Sequence, residues 1–374
     1  MRKPRAFLLL LLVCAATTYA AGDIWRHADP GHRWTWPRDH YAHRDYRTEW
    51  WYFTGHLQPA TGDTTANLGF QLTFFRLGMI PPRTPMPRAE LAAHGGVMAH
   101  AALTDPAAGR HVFSEVLWRE TPLLGGFGEA GDSLIAWCRA PAGTDGRWRL
   151  GLQGQTFLLH AVDKTRDLAY DLTCRPVKPV VLHGDNGFSA KNAAGSTGSL
   201  YASCTRMSVT GSVTRDGRRI PVAGWCWMDH EIFSDTLAPD LKGWDWVSLQ
   251  LDDGRDLMLY RLFHPDGSTA HASGTLVDSR GRATPLERWS LVPQKTWTSP
   301  ATGAPYPVRW RLDVPAADLE VELKATMDDQ ENRSLKSGIH YWEGAVTATD
   351  HTGRRVGRGF VEMTGYGPGN RPPM

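Results

Sequence analysis

Apolar and polar residues alternate with a period of two along most of the chain, in short runs closed by Gly, Pro, Asp or Asn. Glu49 to Leu57, Asn67 to Arg76, Val97 to Thr104, Trp148 to Leu152, Thr156 to Val162, Trp246 to Leu251 and Leu257 to Leu262 all follow this rule. Such alternation places one side of each run in a core and predicts strands. Asp253-Gly254, between the last two runs, predicts a tight hairpin. Helical periodicity is confined to 87–93, opened by proline and followed by Gly95-Gly96. The chain is therefore expected to be all-β, built from barrels or sandwiches.

The two halves of the pattern echo each other. Trp50 to Arg76 is matched by Trp244 to Leu262, and the stretch from Ala99 by the stretch from Ala272. Trp148-Arg149-Leu150 is matched by Trp310-Arg311-Leu312, and the stretch from Thr210 by that from Glu343. Echoes kept in one order imply a duplicated β unit. Its seam falls at 237–242, and the first copy carries the insertions. About eight strands per copy fit a closed up-and-down barrel with a ligand held among inward side chains. A pair of sandwiches is the alternative.

Composition narrows the function. Of 374 residues, 41 are basic and 39 acidic, a net charge of +2. That is too little to collect nucleic acid or an anionic membrane, so no nucleic-acid partner is expected. The 16 tryptophans outnumber both the 12 phenylalanines and the 10 tyrosines. Residues 1–20 read as a secretory leader: Arg2, Lys3 and Arg5, an apolar stretch from Phe7 to Ala16, and a small-residue cleavage site at Thr18-Tyr19-Ala20. A periplasmic or secreted protein is expected, with lipid anchoring through Cys14 as the less favoured route. Cys138, Cys174, Cys204 and Cys226 then remain, either as free thiols or in one of three disulfide pairings. None has the spacing of a zinc site.

The chain contains no Gly-x-Ser-x-Gly elbow, phosphate loop or His-Glu-x-x-His. His94, His100 and His230 match no metal spacing, so neither metal nor cofactor is assigned. The densest polar and aromatic run is Gly224 to Glu231. In a strand, Trp225, Trp227, Asp229 and Glu231 share one face, and Cys226, Met228 and His230 share the other. Carboxylates beside indoles are costly to bury unless they are hydrogen-bonded or used in chemistry. Glu49, Gln71, His100, Arg76 and Arg206 are further polar residues set in apolar strands. Together they would polarise one end of an aromatic cavity.

These residues carry a resemblance. Glu49 to Gly55, Gly69 to Arg76, His100 with Thr104-Asp105, Trp227 to Glu231, Gly243 to Trp246, Tyr341 to Gly344 and Glu362 to Tyr366 resemble the carotenoid 1,2-hydratase-related, AttH-like family from about Trp34 to Tyr366. The resemblance implies two tandem lipocalin-like (calycin) antiparallel barrels, at 24–240 and 241–370, with very little helix. Its hydratase members add water across a carbon–carbon double bond of an acyclic carotene. Its exported bacterial members, described as predicted secreted hydrolases, accompany transporters of the lipoprotein-export type. Alkene protonation needs an acid beside a dry apolar pocket and aromatic faces for the cation. Asp229, His230 and Glu231 are the implied acid–base residues. Glu49, Trp50, Trp51, Gln71, His100, Trp225, Trp227, Trp244, Trp246 and Tyr260 are the candidate ligand contacts. The sequence departs from the family at Ile232, where tryptophan is usual, and at Leu262, where the hydratases carry an acid. Three functions follow: a binder of an apolar lipid or isoprenoid, accessory to an ABC transporter permease; a hydratase or hydrolase; or a protein-docking module. The binder is favoured.

Overall fold

The computed structural model describes residues 25–60, 67–85 and 93–367. The expected leader, Cys14 and all but Ala93 of the expected helix lie outside the described residues. The first sheet contains β1 (Thr48–Pro59), β2 (Leu68–Gly78), β3 (Gly95–Asp105), β4 (Arg110–Arg119), β5 (Gly125–Phe127), β6 (Leu134–Arg139), β7 (Arg147–Gln153), β8 (Thr156–Asp163) and β9 (Leu168–Pro176). The short β10 (Val181–Leu182) and β11 (Phe188–Ala190) follow, then the long β12 (Gly198–Arg215) and β13 (Arg218–Phe233). The second sheet contains β14 (Gly243–Leu251), β15 (Asp256–Phe263), β16 (Thr269–Val277), β17 (Ala283–Pro285), β18 (Ser290–Thr298), β19 (Pro305–Val314), β20 (Leu319–Ala325), β21 (Glu331–Arg333), β22 (His340–Thr349) and β23 (Arg355–Met363). Each predicted strand lies within an observed one, except that Asn67 precedes β2. Asp253-Gly254 makes the expected hairpin, with Gly254 at φ +91°.

The first sheet runs β4-β3-β2-β1-β13-β12-β9-β8-β7-β6-β5, and the second runs β17-β16-β15-β14-β23-β22-β20-β19-β18. In both, the opening strand pairs with the next strand and with the last. The duplication is thus visible in topology. Three of the four sequence echoes fall on equivalent strands. The Trp148/Trp310 echo does not: counting back from β12 and β22, Trp148 lies three strands away and Trp310 two. The first sheet curls nearly into a barrel. Trp118 on β4 donates through Nε1 to the Arg139 carbonyl at the end of β6 (2.9 Å), and Tyr170 on β9 donates to the Gln71 carbonyl on β2 (2.7 Å).

The pleat decides what fills each barrel. Trp51, Phe53 and Leu57 of β1 point inward with Phe70, Phe74, Trp148 and Tyr170. In the second barrel Val247, Leu249, Tyr306, Trp310 and Trp342 do the same. These large side chains occupy the interiors, which corrects the expectation of a ligand among inward residues. Gly55 permits the closest approach: a Cβ there would lie 2.4 Å from the Trp225 carbonyl oxygen and 2.6 Å from the Phe70 ring.

The other face of β1 and β13 packs on the second sheet. Tyr52, Tyr201, Trp227, Trp246, Met258, Tyr260 and Phe360 form a separate apolar cluster there. A buried ionic junction ties the barrels together. The Asp256 carboxylate, fully buried, accepts from Lys178 Nζ (2.6 Å) and from Arg206 Nη2 (2.6 Å) and Nε (2.9 Å). Arg206 sits at a register break in β12 between Cys204 and Met207, a bulge that re-aims it toward the second barrel. All four described cysteines are buried free thiols.

Candidate functional site

A cavity of about 1090 Å³ opens between the two barrels. Its walls come from β1 to β4, β12 and β13 on one side and β14 to β16, β22 and β23 on the other, with the seam residues Leu237 to Leu241 across it. The size suits a substantial organic molecule. Trp50, Trp244, Trp246, Tyr52, Tyr201 and Tyr260 supply aromatic walls, while Met79 and Leu117 form an exposed apolar lip.

The alternation within β13 sorts the expected acid–base residues. Asp229 and Glu231 line the cavity, whereas His230, one residue between them, faces the interior of the first barrel. There its ring stacks on Trp51 at 4.8 Å, and its Nε2 meets Glu49 Oε1 at 2.8 Å. Asp229 and His230 therefore do not act on one ligand together, because neighbouring strand residues point oppositely. Of the expected contacts, Trp50, Gln71, His100, Trp244, Trp246 and Tyr260 line the cavity. Glu49 and Trp51 share His230's inward face. Trp227 stands behind the wall with its Nε1 on Asp229 Oδ1 (2.6 Å). Trp225 lies away from the cavity, beneath the Arg206 and Arg358 guanidiniums at 5.9 and 5.8 Å.

Asp229 is held by three donors: Trp227, Ser203 and Tyr201, the last at 2.7 Å. Trp246 Nε1 donates to the same Tyr201 hydroxyl at 2.9 Å. Burial nonetheless pushes the Asp229 carboxyl up to about 7, with the Glu231 charge adding to the rise and the three donors opposing it. Glu231 accepts from Ser199 Oγ (2.5 Å) and Lys191 Nζ (2.7 Å). Lys191 also stands 4.3 Å over the Tyr260 ring; burial opposes its charge, but Glu231 and Tyr260 carry its pKa upward.

Two further acids escaped the sequence reading. Glu343 and Glu362 face each other in register on β22 and β23. Burial raises both, Glu362 to about 7 and Glu343 well above the carboxylate range, and the proximity of the two carboxyls adds to the rise of Glu343. Tyr52 donates to Glu343 (2.6 Å), and Trp244 Nε1 donates to Glu362 (2.7 Å). Glu362 is the member that lines the cavity. The signal was present: each is a lone glutamate in an apolar alternating strand.

Beside Glu343, His100 Nδ1 lies 2.8 Å from the Tyr341 hydroxyl, which also accepts from Gln71 Nε2 (3.1 Å). Burial lowers His100 to about 3, so it is neutral. Its Nε2 is buried with no hydrogen-bond partner among the described residues. The cavity thus joins an apolar, aromatic volume to carboxyls that hold protons near neutral pH. Such groups can donate a hydrogen bond to a ligand oxygen or exchange a proton with it.

Comparison with known proteins agrees with this architecture. The family model described as AttH-like matches residues 27–366. A crystal structure from Nitrosomonas europaea, described as an AttH candidate, is 33% identical, with a TM-score of 0.77 over 92% of this chain and 100% of that one. Kievitone hydratase from Nectria haematococca is 12% identical, with a TM-score of 0.63 over 92% of this chain and 96% of that one. CghA is 13% identical, with a TM-score of 0.50 over 86% and 89%. At these identities the last two likenesses concern the fold alone. The search of curated proteins finds no match.

Proposed function

Taking as premise that the chain belongs to the AttH-like family, we propose that it binds an extended, mainly apolar small molecule bearing a neutral oxygen in the cavity between its barrels. The supporting observation is the pairing of that 1090 Å³ aromatic volume with the buried carboxyls of Asp229 and Glu362, both raised to about 7. Protonated carboxyls donate to a hydroxyl or carbonyl oxygen, and the aromatic walls cover the hydrocarbon. A lipid or isoprenoid meets both requirements. The proposal includes export, with the ligand delivered to or taken from an envelope transporter; fractionation of the native host and co-purification with a permease test that part.

The experiment on binding is mass spectrometry of organic extracts from protein purified out of its native envelope, alongside titration with the fluorescent polyene cis-parinaric acid. A single retained apolar species and saturable binding, weakened about tenfold or more in Trp244→Ala through lost aromatic contact, are expected. Extracts free of ligand and no saturable binding would overturn the proposal.

A second reading rests on the same carboxyls: a group with a pKa near 7 beside an apolar ligand is suited to general acid catalysis, so the bound molecule is hydrated or hydrolysed. Conversion of the extracted ligand by wild type, lost in Asp229→Asn or Glu362→Gln with binding retained, would establish turnover. His230 has no place in this step, because it faces the other side of β13.

A further inference from the structure

The inward residues Glu49 and His230 are not used by the cavity, yet they belong to an organised cluster at the mouth of the first barrel. The segment before β1 crosses that mouth and brings His32, Asp39 and His43 together, with donor atoms within 4.8 Å of one another. Asp39 Oδ1 is 3.3 Å from His43 Nε2, and Asp39 Oδ2 is 3.5 Å from His32 Nε2. Ligand atoms about 2.0–2.1 Å from a tetrahedral zinc ion stand about 3.3 Å from one another, so the spacing suits one ion. His32 Nε2 is buried and has no hydrogen-bond partner among the described residues, although it faces this carboxylate.

The surroundings complete the pattern. His43 Nδ1 is 2.8 Å from Glu49 Oε1, which orients the ring with Nε2 toward Asp39. Glu49 is fixed in turn by His230 Nε2 (2.8 Å) and Arg76 Nε (3.0 Å). A carboxylate behind a ligating imidazole is the usual outer support of a metal-bound histidine. The neighbouring trio His43, Glu49 and His230 is less suited to hold the ion itself, because Arg76 already sits on the second Glu49 oxygen and the trio is closed to solvent. His32 keeps 12% of its side chain exposed, which leaves a route of entry. Arg38, 3.9 Å from Asp39, is 44% exposed and can turn to water.

We propose that His32, Asp39 and His43 form a binding site for a divalent transition-metal ion of the zinc type, with Glu49 as the support of His43 and the fourth position open to water. Two imidazoles and one carboxylate favour zinc over magnesium or calcium, which prefer all-oxygen shells. The ion clamps the segment before β1 onto the barrel mouth. The site is separate from the inter-barrel cavity and stands whether or not the cavity binds a lipid.

The test uses the full chain, stripped with a chelator and titrated with ZnCl₂ by calorimetry, with CoCl₂ absorption as a report on coordination geometry. One equivalent of Zn²⁺ per chain, a rise in melting temperature and tetrahedral Co²⁺ bands are expected. His32→Ala should abolish the one-to-one step while far-UV circular dichroism stays unchanged. Glu49→Gln should weaken binding by about 10–100-fold, and His351→Ala, an exposed histidine elsewhere, should leave it intact. No Zn²⁺ binding, or binding equal in wild type and His32→Ala, would overturn the proposal and leave His43 as a protonated bridge between two carboxylates.

Discussion

Replacing Asp229 by asparagine should remove a large part of the pH dependence of stability. Burial raises the folded carboxyl to about 7, from an ordinary value of 3.8. A group raised on folding contributes fully below the unfolded pKa and loses that contribution as pH climbs through the folded one. At about 1.36 kcal/mol per pKa unit, the wild type should lose roughly 4 kcal/mol from this residue between pH 4 and pH 8. Asparagine has no such loss. Its Oδ1 can keep the Trp227 and Ser203 donors, but its amide meets the Tyr201 oxygen and strands the Tyr201 hydroxyl proton, costing about 1 kcal/mol at all pH values. The variant should therefore be slightly less stable than wild type near pH 4 and more stable by about 3 kcal/mol at pH 8. Urea denaturation followed by tryptophan emission at a series of pH values measures this. Parallel profiles for the two proteins would refute the reasoning, because they would mean that Asp229 ionises alike in the folded and unfolded chain.

Three other outcomes are expected. Asp256→Asn removes the carboxylate that Lys178 and Arg206 share and should cost about 3–5 kcal/mol; a denaturant midpoint shift worth less than about 1 kcal/mol would contradict the role given to it. Gly55→Ala drives a methyl into the Trp225 carbonyl and the Phe70 ring and should destabilise by about 1–3 kcal/mol, read as a lower melting temperature. Cys138, Cys204 and Cys226, whose thiols burial raises above the ordinary range, should resist a thiol reagent in the native state and react on unfolding. Fast labelling of the folded protein would show that the barrel interiors open.

The strands were legible because alternation survives in nearly all of them. The destination of each face was not. Tyr52, His56, Gln71 and Asp229 are polar enough to read as solvent-facing, yet all are buried, because the second barrel covers the outer face of β1, β2 and β13. A period of two marks that a strand has two faces; it says nothing of a second core on the polar one. The same limit hid Glu343 and Glu362: each stands out as a glutamate in an apolar strand, but their pairing shows only when β22 and β23 are seen in register. The pleat of Gly224 to Glu231 was readable in full, and it separates His230 from Asp229 once the inward face is known. The cluster around His43 was obscured because His32, Asp39 and His43 lie in a segment without periodicity.

The hydrogen bond from Tyr52 to Glu343 spans 291 positions of the chain. The wall that β22 and β23 supply comes from the end of the chain, so the cavity is complete only when its most distant segments have met. Tyr52, Tyr201 and Trp227 of the first barrel meet Trp246 of β14, and Tyr52 also reaches Glu343 of β22, so their aromatic face is covered only as the second barrel forms. Contacts so distant in sequence carry a high loop-closure cost and slow folding. The cavity is thus a product of long-range assembly rather than of either barrel alone.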